Sequence, residues 1–144
     1  MINIVIIIIT KRGDEVKQNY SRKREAILNV IRCTTIHPTA DWVYQQLKAS
    51  YPDLSLGTVY RNISQFKDDG TIISVGIVNG QERFDGNINP HTHFVCSMCG
   101  AVIDIPGEYV DHKANEEVAA TNHLRVDSNE VLFHGICADC LLKQ

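Results

Sequence analysis

Along this chain the spacing of apolar positions changes period twice. Between Ser21 and Phe66, apolar residues recur every three or four positions. They form three sets: Ala26, Ile27, Leu28, Val30 and Ile31; then Trp42, Val43 and Leu47; then Leu56, Val59, Ile63 and Phe66. Such spacing places each set on one face of a helix. Ser21, Thr39 and Ser55 stand where a side-chain oxygen would cap the first N–H groups of the three helices. His37-Pro38, Tyr51-Pro52 and Gly70 stand where the helices would stop. From Thr71 to Val78 the residues turn β-branched, Asn79-Gly80 makes a two-residue hairpin turn, and Gln81 to Phe84 returns. Three helices followed by a hairpin is the order of a winged helix-turn-helix.

Gly86, two asparagines and Pro90 then mark a linker. Beyond it the pattern predicts strands over His93–Cys96 and Ala101–Ile105, a helix over about 109–120, and strands over Leu124–Asp127 and Val131–His134. The expected architecture is α+β. A winged-helix domain spans 1–84, a hinge 85–90, and a second, α/β domain 91–144. Within the first domain, residues 1–19 are atypical. Their apolar run Ile2–Ile9 is far shorter than the roughly 20 residues of a membrane span. It lacks the basic region and small-residue cleavage site of a secretory signal, so it reads as an edge strand or a sticky tail. The expected compartment is the cytoplasm.

The net charge of −3 conceals an asymmetry. Residues 1–84 carry eleven Lys/Arg against eight Asp/Glu, a net of +3, and residues 85–144 carry three against nine, a net of −6. The basic half suits phosphate and the acidic half suits cations. On the third helix, with its apolar stripe turned inward, Thr58, Arg61, Asn62 and Gln65 face outward and Tyr60 lies at the margin. Arg reads guanine or phosphate, Asn and Gln read adenine, and Thr meets the thymine methyl. The second helix of a helix-turn-helix enters the major groove, although any solvated helix face carries a similar set.

Two features carry metal chemistry. Cys96-Ser97-Met98-Cys99 and Cys137-Ala138-Asp139-Cys140 are matched CxxC turns separated by 37 residues. Two such turns supply the four thiolates of a closed, tetrahedral and therefore structural Zn²⁺ site; two disulfides or two redox motifs are the alternatives. Cys33, on the first helix, reads as a small buried hydrophobe. His91 and His93, two apart on a strand, face the same way. With Asp85, Asp104 and His37 they make a mixed nitrogen and oxygen set suited to Fe(II), Mn(II) or Zn(II). Spacing alone does not place His37 in that set.

His37-Pro38-Thr39-Ala40, Ser55-Leu56-Gly57-Thr58-Val59-Tyr60-Arg61, Arg83-Phe84-Asp85 and His91-x-His93-x-x-Cys96-x-x-Cys99-Gly100 together resemble the ferric uptake regulator family, in one register from about residue 20 onward. The resemblance implies a regulatory Fe(II) or Mn(II) held by His37, Asp85, His91, His93 and Asp104, and a structural zinc on Cys96, Cys99, Cys137 and Cys140. It implies a homodimer, paired through the second domain, whose two reading helices match a palindromic operator in double-stranded DNA. His37 would clamp one domain to the other when metal is present. Pro90 and Thr92 stand where iron-uptake members carry extra ligands, and positions 85 and 104 are both Asp. That pattern is similar to the peroxide-stress regulator branch, in which iron and hydrogen peroxide oxidise a ligand matching His37 or His91. An iron or manganese uptake repressor is the alternative within the family. A mononuclear metal hydrolase is the alternative outside it, but no separate base or nucleophile motif stands beside the ligands, so the expected protein is not an enzyme and takes no small organic substrate or membrane partner.

Overall fold

The computed structural model describes the backbone of residues 2–107 and 109–144, with side chains from Lys17 onward among them. Ten elements follow in order: α1 (Ile2–Arg32), α2 (Ala40–Leu47), α3 (Leu56–Asp68), β1 (Ile73–Val78), β2 (Gln81–Asp85), β3 (Thr92–Cys96), β4 (Val102–Ile105), α4 (His112–Asn122), β5 (Leu132–Gly135) and α5 (Ala138–Leu141). They form two compact units: residues 1–77 with Gln81–Ile88, and Val78–Gly80 with Asn89–Gln144. Among the described residues, no helix is long and apolar enough to cross a membrane.

In the first unit the three helical stripes converge. Ile27 and Ile31 of α1, Val43 and Leu47 of α2, and Val59, Ile63 and Phe66 of α3 are buried together with Leu54, Ile72 and Phe84. Burying such a side chain contributes about 1.5–3 kcal/mol, and the aromatic pair Phe66 and Phe84 are the two largest buried side chains. The caps fall where the sequence places them for α2 and α3. Thr39 accepts the Trp42 N–H at 3.1 Å and Ser55 the Thr58 N–H at 3.1 Å. Asn79 (φ 53) and Gly80 (φ 78) turn the β1–β2 hairpin with both residues left-handed, which matches the twist of the paired strands.

Ser21 does not start α1, and Ile2–Ile9 is neither strand nor tail: the backbone is helical from Ile2. β-branched residues give up only a few tenths of a kcal/mol per position in a helix, and no proline interrupts residues 1–32. Cys33 is exposed rather than buried, because it falls just past the end of α1. Gly86, directly after β2, lies so close to α1 that a Cβ there would stand 2.8 Å from the Arg32 Cα. Only glycine lets the chain leave β2 along that path.

The second unit is built on a three-stranded sheet of order β4-β3-β5, with β4 antiparallel and β5 parallel to the central β3. The strand expected over Leu124–Asp127 does not form; residues 124–131 are irregular. The cause is the end of α4. His123 adopts a left-handed conformation (φ 56), and the Leu124 N–H turns back to the Ala119 carbonyl at 3.0 Å. That closure caps the helix in the manner of a glycine terminus and leaves Leu124 exposed.

Candidate functional site

The four knuckle cysteines meet at one point. Cys96 ends β3, Cys99 closes the following turn, Cys137 caps α5 and Cys140 lies within it. Their sulfurs lie within 4.8 Å of one another. Cys99 and Cys137 are 3.8 Å apart, which matches the edge of about 3.8 Å that a Zn–S tetrahedron with bonds of about 2.3 Å requires. All five cysteines are free thiols, so the disulfide alternative is set aside. The Cys137 N–H donates to the Cys96 sulfur at 3.3 Å. Backbone donors of this kind, from Cys99 and Cys137 first, hold the Cys96 thiol well below its ordinary value, at about 6. Hydrogen bonding with Cys137, burial and the other thiols push Cys140 up to about 12. One sulfur is therefore ready as an anion while another resists ionising until a cation joins the group. The donor set fits a structural zinc, which supplies the charge that four crowded thiolates lack.

The histidines and aspartates fall into two groups, one per unit. In the first unit, His37 occupies the turn between α1 and α2 with φ 54, a conformation costing a non-glycine residue about 1–2 kcal/mol. Proline at the next position disfavours it further. Three consecutive carbonyls hold the turn. The Arg83 guanidinium donates to the His37 carbonyl through Nε and to the Ile36 carbonyl at 2.7 Å, and the Phe84 N–H donates to the Pro38 carbonyl at 3.0 Å. His37 is thereby buried with its Nε2 3.3 Å from Asp85 Oδ2, while Asp85 Oδ1 accepts the Asn87 N–H at 2.7 Å.

In the second unit, β3 and β4 pair His93 directly opposite Asp104. Asp104 Oδ1 lies 3.1 Å from His91 Nε2 and 3.3 Å from His93 Nε2, and the two imidazoles tilt together with centroids 4.4 Å apart. His91 Nδ1 lies 2.7 Å from the Asn89 carbonyl. A carbonyl only accepts, so Nδ1 carries a proton, and the ring is held with Nε2 toward the Asp104 oxygen. The contact between Nε2 and the carboxylate is closed either by a second proton on the ring or by a metal cation shared between them. Imidazole nitrogens with an aspartate oxygen suit Fe(II) or Mn(II), and a carbonyl fixing the far nitrogen is the usual support of a metal-binding histidine.

On α3 the expected reading face is redistributed. Tyr60 and Arg61 are exposed, and the Tyr60 hydroxyl donates to Asp41 at 3.0 Å, a bond that raises its pKa. Thr58 is half-buried, held by the Ser55 hydroxyl at 2.8 Å and by Arg61 at 3.2 Å. Gln65 is exposed, with its Oε1 taken by Arg24 at 2.7 Å. Asn62 does not face outward. It is 1% exposed, donates to the Thr58 carbonyl at 2.8 Å and accepts from Arg24 at 3.2 Å. Arg24 also lies over the Phe66 ring at 4.2 Å, so one α1 side chain braces α3 at three positions. Ser64, three residues after Arg61, is the exposed residue of this face that side-chain chemistry alone does not single out. Replacing Asn62 with alanine is expected to destabilise the chain by about 1–3 kcal/mol, the cost of stranding a buried partner. Urea unfolding measures this; an unchanged midpoint would contradict the bracing role.

A winged-helix unit is joined to a unit with a four-thiolate centre, and each carries a histidine–aspartate group, so the chain has the donors of a metal-binding protein. A sequence model of the ferric uptake regulator family matches residues 15–134, and the chain belongs to that family. It is 32% identical over 121 residues to the peroxide-responsive repressor PerR of Staphylococcus aureus, covering 82% of this chain and 79% of that one. The Campylobacter jejuni peroxide stress regulator has a similar fold, with a TM-score of 0.68 at 23% identity over 91% of this chain and 98% of that one. The Vibrio cholerae ferric uptake regulator gives a TM-score of 0.61 at 25% identity, over 87% and 99%. These relatives are regulators, and the chain is a metal-responsive regulator of their family.

Proposed function

We propose that this chain is a repressor that binds a palindromic operator in double-stranded DNA as a homodimer, and releases it when hydrogen peroxide oxidises His37 or His91. The observation that carries the metal dependence is the meeting of His91 Nε2 and His93 Nε2 on one Asp104 oxygen, at 3.1 and 3.3 Å. Two imidazoles and one carboxylate in the second unit leave coordination positions unfilled, and His37 with Asp85 supplies two more donors. The linker between Asp85 and His91 spans six residue steps, at most about 20–22 Å when extended, a tether short enough to favour both groups meeting on one ion. Closing both on one ion couples the units, and that differential contact is what a metal switch requires.

Dimer formation is supported by the second unit's apolar surface. Ile103, Tyr109, Val118, Leu132, Phe133 and Ile136 are all exposed, and α4 buries no residue. A second copy covers such a surface. DNA contact falls to Tyr60, Arg61 and Gln65 on α3, with Thr58 at its start and Asn62 acting only through Arg24.

Peroxide is favoured over metal uptake by the two aspartate donors, by Pro90 and Thr92 in place of further ligands, and by the names of the curated relatives. Bound Fe(II) would supply one-electron chemistry with peroxide, and His37 and His91, as two of its ligands, would be the side chains next to it. Peroxide treatment of the Fe(II)-loaded protein is expected to add one oxygen atom to the peptide carrying His37 or His91 and to abolish operator binding, while the Mn(II)-loaded protein keeps both unchanged. Mass spectrometry with gel-shift analysis reads both. Unmodified histidines together with persistent DNA binding would return the protein to the metal-uptake class.

A further inference from the structure

Alternation along β2 sends Phe84 into the core and turns Arg83 and Asp85 to the same side. His37 lies on that side, 3.3 Å from Asp85. The residue depends on a left-handed backbone conformation that is uncommon for any residue with a Cβ and is disfavoured further before proline. Within the turn, a hydrogen bond from the Ile36 N–H to Thr34 Oγ1 at 3.3 Å stops short of His37 itself. The carbonyls of Ile36, His37 and Pro38 instead accept in succession from Arg83, Arg83 and the Phe84 N–H. A planar guanidinium presents donors in a fixed fork, so two neighbouring carbonyls can be held at once; an ammonium is a single flexible point of charge.

We propose that Arg83 is a positioning residue for the regulatory metal, one that fixes the left-handed turn at His37 and so sets the place of its Nε2 beside Asp85. It acts through the backbone carbonyls that it holds. Its influence on the metal rests on the proposal above that His37 is a ligand; its hold on the turn does not. Supporting groups of this kind commonly change metal affinity by about 10–100-fold when lost.

The test uses the full chain with zinc in place and compares Arg83→Met, Arg83→Lys and His37→Asn with the unaltered protein. Mn(II) affinity is measured by titration calorimetry, amide hydrogen exchange is measured without Mn(II), and zinc content is checked throughout. Arg83→Met is expected to weaken Mn(II) binding about tenfold, with Arg83→Lys regaining only part of the loss and zinc unchanged. In the same variants, faster exchange without added Mn(II) should be confined to the segment between α1 and α2 and to the Phe84 amide. Full Mn(II) affinity in Arg83→Met would overturn the proposal, provided His37→Asn weakens binding. If His37→Asn also binds normally, the ligand assignment is what fails, and the exchange data alone decide whether Arg83 holds the turn. Unchanged exchange at that segment, or a rise spread evenly over the first unit, would overturn it as well.

Discussion

Replacing Cys96 with serine is expected to expel the zinc and unfold the second unit while the first stays folded. The expectation follows from how little apolar core the second unit has. Among the described residues its buried hydrophobic side chains are Val78, Val95, Val102 and the cysteines Cys96, Cys137 and Cys140, and its helix α4 buries none. A structural zinc contributes about 10–16 kcal/mol in small zinc modules, as much as the whole stability of an ordinary domain. Cys96 is the sulfur whose loss matters most. It joins the central strand to the knuckle, accepts the Cys137 N–H, and is held ionisable at about 6 by backbone donors. A serine hydroxyl offers zinc no comparable anion. Metal analysis should show loss of zinc, and hydrogen exchange should show protection kept over α1–α3 and lost over β3–β5. A variant that lost zinc yet kept the β3–β5 sheet protected would sink the assignment. The sign with pH agrees. Because the folded-state pKa of Cys96 is depressed, its contribution is present above the ordinary thiol value and falls away as pH drops through about 6. Protons then compete with zinc, so affinity for zinc should fall over the same window.

Features set by short-range chemistry were the legible ones. The CxxC turns fix their sulfurs locally, Thr39 and Ser55 cap within three residues, and Asn79-Gly80 turns on itself. Where the deciding partner is distant in sequence, pattern fails. Asn62 looks solvent-facing by helical period, but it is buried and bonded to Arg24, 38 positions upstream. Ser21 looks like a cap, yet no proline stands upstream to make a helix begin there, and α1 runs through it. Leu124–Asp127 has strand composition, but the left-handed His123 and its closing hydrogen bond spend that segment on ending α4. His37 is the sharpest case. Nothing about a histidine before a proline indicates a ligand; its setting depends on Arg83, 46 positions later, and only the family resemblance pointed to it in advance.

His37 also yields the largest functional effect expected of one substitution. His37→Asn should leave the apo fold intact, because asparagine tolerates the left-handed conformation that the turn demands. Its carboxamide is too short to reach the point that Nε2 occupies beside Asp85. In the proposed switch, His37 and Asp85 are what the first unit gives to the shared ion, so removing the imidazole uncouples metal from the DNA-binding unit while His91, His93 and Asp104 remain. Coupling between sites typically amounts to about 5–150-fold in affinity, and the variant should lose that factor, binding operator with Mn(II) only as well as without it. Binding isotherms at one fixed salt concentration are needed, since phosphate contacts make DNA affinity steeply salt-dependent. The metal-independent affinity and the zinc content should stay as they were, which separates a broken switch from a broken fold. Undiminished stimulation by Mn(II) in His37→Asn would mean that the ion governs DNA binding through the second unit alone, and the two-unit clamp would have to be given up.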